Sequence, residues 1–185
     1  MVRLGILCEG ESETYILKSD LFQNWIHDNG IVLVEVRIVG SKNQYWEDRL
    51  ESHILILQDL NVEQILIMVD LDNDACITNT KSKIVVGENQ HIVVSVKEFE
   101  NWYLADSLAI SRLVGVDINL EFPENEENAE SKIIELNRGK GFGGSKPRLA
   151  MKMRSNGFSI ENAANHPNCP SATYFLSKLR QIAVN

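Results

Sequence analysis

The sequence of 185 residues predicts an α/β domain: a mostly parallel four-stranded sheet flanked by helices, with a helical C-terminal extension. Three observations carry this expectation. Four short runs rich in Val, Ile and Leu read as buried strands. Stretches with helical spacing of apolar residues alternate with them. Acidic clusters follow three of the runs, and an open parallel sheet places its ligand site beyond the carboxyl ends of its strands.

The elements follow in order. Val2–Cys8 is apolar up to Gly10 and predicts the first strand. Ser12 is a candidate N-cap for a helix running to about Asn29, with Ile16, Leu17, Leu21, Trp25 and Ile26 on one face. Gly30 suits the position just after that helix. Ile31–Val39 is β-branched and predicts a second strand. Trp46 to Leu60 predicts a helix through Leu50, Ile54 and Leu57. Gln64–Val69, ending at Asp70, and His91–Val96 predict the third and fourth strands. Phe99–Leu113 reads as a helix, and the aromatics Trp102 and Tyr103 near its start as core. Helices are also expected near Asn125–Asn137, Lys146–Ser155 and Ser171–Ala183. Glu121–Glu130 reads as an acidic exposed connection, and Arg138–Ser145 as a mobile, glycine-rich basic loop. Residues 1–115 are expected to form the α/β core, and residues 116–185 a basic helical extension packed on the same domain.

Composition narrows the function classes. A hydrophobic content of 44% supports a sizeable core. No apolar run approaches the ~18 residues of a membrane span, and Met-Val-Arg-Leu-Gly lacks the organisation of a signal peptide. Cys8, Cys76 and Cys169 are widely spaced and form no zinc pattern, so reduced thiols and a cytoplasmic location are expected. The net charge of -8 hides a strong polarity. Residues 1–137 hold 10 Lys/Arg against 25 Asp/Glu, whereas residues 138–185 hold 8 against Glu161 alone. Such a chain can receive a polyanion at one end, or its basic tail can pair with its own acidic body.

The candidate chemistry lies in the acidic clusters. Glu9 leaves the first strand, and Glu13 falls in the first turn of the helix, where the helix dipole favours an anion. Asp70 and Asp72, two apart in an extended segment, would point to one side and reach one ion or one each of two. Asn73-Asp74 invites a calcium-loop reading, but Ala75 and Lys81 stand where that loop needs Gly and Glu. Either Glu98 or Glu100 supplies the carboxylate after the fourth strand. Clustered carboxylates repel one another until a cation neutralises them, and an all-oxygen set suits Mg²⁺ or Mn²⁺ rather than zinc. Gly139-Lys140-Gly141-Phe142-Gly143-Gly144 fits a dinucleotide-binding spacing but follows a helix, and Ser145 excludes a Walker A loop. Arg138, Lys140, Lys146, Arg148, Lys152 and Arg154 form a basic run without an acid, a candidate nucleic-acid surface. Neither a His/Cys metal pattern nor a serine-nucleophile motif is present.

The ordered set Cys8-Glu9-Gly10-Glu11-Ser12-Glu13, Val69-Asp70-Leu71-Asp72 and Glu100-Asn101-Trp102-Tyr103-Leu104-Ala105-Asp106 resembles the Toprim family. More closely, it resembles the small stand-alone Toprim-like proteins of the DUF4276 group, related to the nuclease domain of overcoming-lysogenization-defect (OLD) proteins. Pro170-Ser171-Ala172-Thr173-Tyr174-Phe175 resembles the C-terminal segment of that group. The resemblance implies a two-metal nuclease site. Carried over, its metal ligands are Glu9, Glu13, Asp70, Asp72 and Glu100, its distal lysine is Lys146 (with Lys140 competing), and Glu9 and Lys146 are its catalytic pair. It implies DNA or RNA as substrate, a separately encoded ATPase as partner, and a setting in phage defence or DNA repair. The alternatives are a nucleotidyl- or glycosyl-type transferase gripping a diphosphate through the DxD pair, and a non-catalytic nucleic-acid or partner-binding domain.

Overall fold

A computed structural model of the chain describes residues 1–41, 45 and 49–184. Four strands, β1 (Val2–Cys8), β2 (Ile31–Ile38), β3 (Gln64–Asp70) and β4 (Gln90–Ser95), form one sheet in the order β2-β1-β3-β4. Every neighbouring pair is parallel. The expected mostly parallel sheet is thus wholly parallel, an arrangement consistent with a Toprim-like fold.

Burial explains why the strands read as continuous apolar runs. Leu4, Ile6, Leu66, Met68 and Val93 face one core; Leu7, Ile65, Ile67, Val69 and Val94 face a second on the other side. Both faces of the sheet are covered, so the polar half of a strand's alternation disappears. Gly5 is required by this packing: a Cβ there would come within 2.8 Å of Leu57 Cδ1. Leu57 lies in α3 (Arg49–Asp59), which lies against that face. The part of the predicted helix at residues 46–48 lies outside the described residues.

Two predicted helices are each broken in two. The helix expected over residues 12–29 is α1 (Glu11–Leu17) followed by α2 (Asp20–Asp28). The N-cap of α1 is Gly10, not Ser12, which is buried inside the first turn. Ser19 restarts the helix, its hydroxyl accepting a hydrogen bond from Phe22 N–H at 3.3 Å. The helix expected over residues 99–113 is α5 (Asn101–Ala105) and α6 (Ser107–Val114), interrupted where Asp106 caps α6 through Ala109 N–H at 3.1 Å. Apolar periodicity runs through both joints because each new helix keeps facing the same core, so only the capping side chains betray the break.

Two further short helices, α4 (Ile77–Ser82) and α9 (Ile160–Ala164), are too brief for periodicity to reveal. A 3₁₀ turn at Pro123–Asn125 precedes α7 (Ala129–Leu136), which starts later than expected because Asn128 is its N-cap. The loop after α7 turns through left-handed residues, Arg138 (φ 56°), Gly139 (75°), Gly143 (90°) and Gly144 (75°). Phe142, buried in the larger core, anchors it. Then follow α8 (Lys146–Ser155) and α10 (Pro170–Ala183). Leu149, Met153, Phe175 and Leu179 join Leu4, Ile6 and Trp102 in one core, so the C-terminal helices bury the same sheet face as α1 and α2. Among the described residues no helix is long and apolar enough to cross a membrane.

Candidate functional site

The carboxyl ends of β1, β3 and β4 are laced together by the acids that follow or end them. Glu9 Oε1 accepts a hydrogen bond from Asp70 N–H at 2.8 Å. Asp70 Oδ1 in turn accepts from Phe99 N–H at 2.9 Å. Beyond them, Leu71 N–H donates to Ser95 C=O at 2.8 Å and Asp72 N–H to Lys97 C=O at 2.7 Å. Each strand exit thus holds the next, and the belt sets Glu9, Asp70 and Glu100 along one edge of the sheet.

Glu13 reaches the same place from α1. Gly10 caps that helix without a side-chain hydrogen bond, and a Cβ there would come within 3.5 Å of Glu13 Oε2. Glu100 is the N-cap residue of α5 and is 2% exposed; Glu13 is 6% exposed. Lys146 opens α8 and turns back toward β4, its Nζ 2.6 Å from Glu98 Oε2 and 3.1 Å from Glu100 Oε2. A cation at a helix N-terminus opposes the helix dipole, so these carboxylates, not local preference, account for its place.

All five predicted ligands, Glu9, Glu13, Asp70, Asp72 and Glu100, line one cleft of about 360 Å³ together with Lys146, Ser12, Ser41 and Pro147. The two open choices are decided by geometry. Glu100, not Glu98, faces the cleft. Glu98 Oε1 instead accepts from Ala129 N–H at 3.0 Å and ties down the start of α7. Lys146 lines the cleft, whereas Lys140 is exposed on the glycine loop.

One expectation is corrected. Asp70 and Asp72 are not consecutive same-side positions of an extended segment: β3 ends at Asp70 and Asp72 has φ 50°. Asp72 enters the cleft through a left-handed turn and also borders a small polar hollow with Asn73, Lys97, Glu98 and Glu127. The five other predicted nucleic-acid residues, Arg138, Lys140, Arg148, Lys152 and Arg154, are exposed and do not belong to the described cleft lining. Arg148 holds its own loop through Gly143 C=O at 3.0 Å, and Arg154 lies 3.9 Å from Asp20. Sequence reasoning missed Glu98 as the second partner of Lys146.

The electrostatics are those of acids that act on one another. Burial, then the charges of Glu100 and Glu9, pushes the Glu13 carboxyl up to about 7. Burial and the charges of Glu13, Glu9 and Glu100 hold Asp70 well above the usual carboxylate range. Burial raises Glu100 too, with Lys146 pulling it back. Burial works against the Lys146 charge, but Glu100 and Glu98 overcome this and hold its pKa above the ordinary lysine value.

Among the described residues no group of three or more His, Cys, Asp or Glu stands at the spacing of a finished metal cage. Glu9 and Asp70 each accept from a backbone N–H, and Glu100 accepts from Lys146. The donor set nevertheless fits a hard divalent cation. It is all oxygen, Glu13 and Glu100 are buried, and burial together with neighbouring acid charges raises the pKa values of Glu13 and Asp70. No family model, curated protein or solved structure matches the chain.

Proposed function

We propose that the chain is a Toprim-like, divalent-cation-dependent nuclease that cleaves phosphodiester bonds in DNA or RNA. The observation that carries this reading is the convergence of five carboxylates, from the exits of three strands and the first turn of α1, on one cleft with Lys146 at its rim. Glu9, Asp70 and Asp72 would hold one Mg²⁺ or Mn²⁺, and Glu13 and Glu100 a second. Bound there, the ions supply Lewis-acid polarisation of the phosphodiester and a lowered pKa for attacking water. Lys146 has a role of its own. Its ammonium is fixed at the cleft wall by Glu98 and Glu100, where it would meet negative charge gathering on the phosphate in the transition state.

Support for a nucleic-acid substrate comes from α8. This helix begins at the cleft with Lys146 and carries Arg148, Lys152 and Arg154 exposed along its length. Arg148 and Lys152, four apart, share one side of α8 and offer a basic surface to a phosphate backbone held at the carboxylates. The reading is tested by calorimetric titration with Mn²⁺ and by cleavage of single- and double-stranded DNA and RNA. The wild type should bind Mn²⁺ and cut at least one substrate only in its presence. Asp70→Asn should do neither, while keeping its hydrogen bond to Phe99 N–H through the amide oxygen.

A further inference from the structure

Among the described residues one buried side-chain polar atom has no hydrogen-bond partner: the hydroxyl oxygen of Tyr103. Buried hydroxyls are nearly always paired, and an orphan is destabilising, so its place in the fold matters. Tyr103 lies one helical turn after Glu100, its backbone N–H donating to Glu100 C=O at 3.0 Å. Residues three apart on a helix share a face, so its side chain and that of Glu100 leave α5 on the same side. The ring is fully buried and clamped between two others. It meets Phe99 edge-on at 5.6 Å between centroids and Phe158 edge-on at 4.8 Å. A ring held on two sides cannot swing its hydroxyl toward a new partner; the partner must come to it.

We infer that Tyr103 is a positioning residue for the carboxylate cleft, its hydroxyl donating to the Glu100 carboxylate when a divalent cation draws that carboxylate away from Lys146. This rests on the cation-site reading above. Burial, and after it the charges of Glu100, Glu13 and Asp70, raise the Tyr103 phenol well above the ordinary tyrosine range. The hydroxyl therefore stays a donor, available to a carboxylate that comes within its reach. A carboxylate ligand gains orientation from such a donor behind it. Here the Glu100 carboxylate is bonded to Lys146 instead, at 3.1 Å.

The inference makes opposite predictions for stability and for metal affinity, which a purely structural hydroxyl would not. Tyr103→Phe removes the orphan oxygen and keeps the ring clamp. Without added metal it should melt at or above the wild type. Its Mn²⁺ dissociation constant, by titration calorimetry on the full chain, should weaken by about tenfold. Combined with Glu100→Gln, it should add nothing to the weakening caused by Glu100→Gln alone, because both act through one carboxylate. Unchanged Mn²⁺ affinity in Tyr103→Phe overturns the inference, as does additivity in the double variant. So does a Tyr103→Phe that melts below the wild type without metal, since the hydroxyl would then already serve the fold. A wild type that takes up no Mn²⁺ overturns the cation-site reading itself and this inference with it, and that failure is recognisable before any variant is made.

Discussion

Two sets of buried acids invite comparison. Asp106 is 1% exposed and Glu124 5%, as deeply placed as Glu13 and Glu100 in the cleft. Their surroundings differ completely. Asp106 accepts from Ala109 N–H at 3.1 Å, Ser159 N–H at 2.9 Å and the Asn162 amide at 3.3 Å, fastening α6 to α9. Glu124 accepts from Ser171 N–H at 3.0 Å and from the Ser171 hydroxyl at 2.5 Å. Ser171 accepts from the Trp102 indole at 2.7 Å, joining α10 to α5. These two carboxylates are met by the N–H, hydroxyl and amide donors just named. In the cleft, Glu13, Asp70 and Glu100 are instead raised by burial and by the charges of neighbouring acids, with Lys146 pulling each back. Burial of an acid therefore does not mark a site. Several acids that act on one another in one cleft do, because each further negative charge there is harder to hold.

The comparison can be broken in four ways. The largest effect is expected from Asp70→Asn. Metal-dependent cleavage should fall by about 10³-fold while the variant, without added metal, melts higher than the wild type. Equal gains in melting temperature on adding Mn²⁺ to both proteins would show that Asp70 is no ligand.

Asp106→Ala should do the reverse. It strands the N–H groups of Ala109 and Ser159 and should cost about 3 kcal/mol in urea unfolding, yet leave Mn²⁺ affinity per folded molecule unchanged. A variant that keeps its stability but loses metal would erase the distinction between the two sets.

The third test is pH. An acid whose folded pKa is raised costs stability above its unfolded value, and Glu13 is raised from 4.5 to about 7. That cost grows as pH rises through this window and is absent below it. Without metal, Glu13→Gln should therefore raise the melting temperature by several degrees at slightly alkaline pH and by little near the bottom of the window. Divalent metal should stabilise the wild type more at the alkaline end. A pH-independent effect of Glu13→Gln would mean that burial and neighbouring charge do not raise the Glu13 carboxyl.

The smallest effect concerns the surface rather than the cleft. Neutralising Lys140, Arg148 and Lys152 together should weaken nucleic-acid binding at low salt and lower the slope of log affinity against log salt by up to about 3. Binding titrations at several salt concentrations measure it. If binding is unchanged at every salt, the basic segment serves the acidic body instead, and the contact between Arg154 and Asp20 is its first instance.

Much of this was legible before any coordinates. The four strands lie within a residue or so of the apolar runs, most cleanly for the central strands β1 and β3, whose burial on both faces leaves few polar positions to blur their limits. Glu9, Asp70 and Glu100 could be grouped because parallel strands all deliver their carboxyl ends to one edge. Helix joints were harder. Ser19 and Asp106 each interrupt a helix without interrupting its apolar face, and a periodic pattern cannot register a break that keeps the phase.

What the sequence alone determined is therefore local and repetitive: which segments are strands, which end carries acid, and which end of the chain carries base. Long-range packing decided the rest. It chose Glu100 over Glu98, since only the fold reveals that Glu98 holds the N–H of Ala129. It chose Lys146 over Lys140, since α8 must pack with Leu149 and Met153 inward before its first residue can reach β4. It turned Asp72 through a left-handed residue instead of an extended one. It also left the Tyr103 hydroxyl without a partner beneath the acids. Each of these depends on residues dozens of positions apart meeting in space, and no periodicity within a segment carries that information.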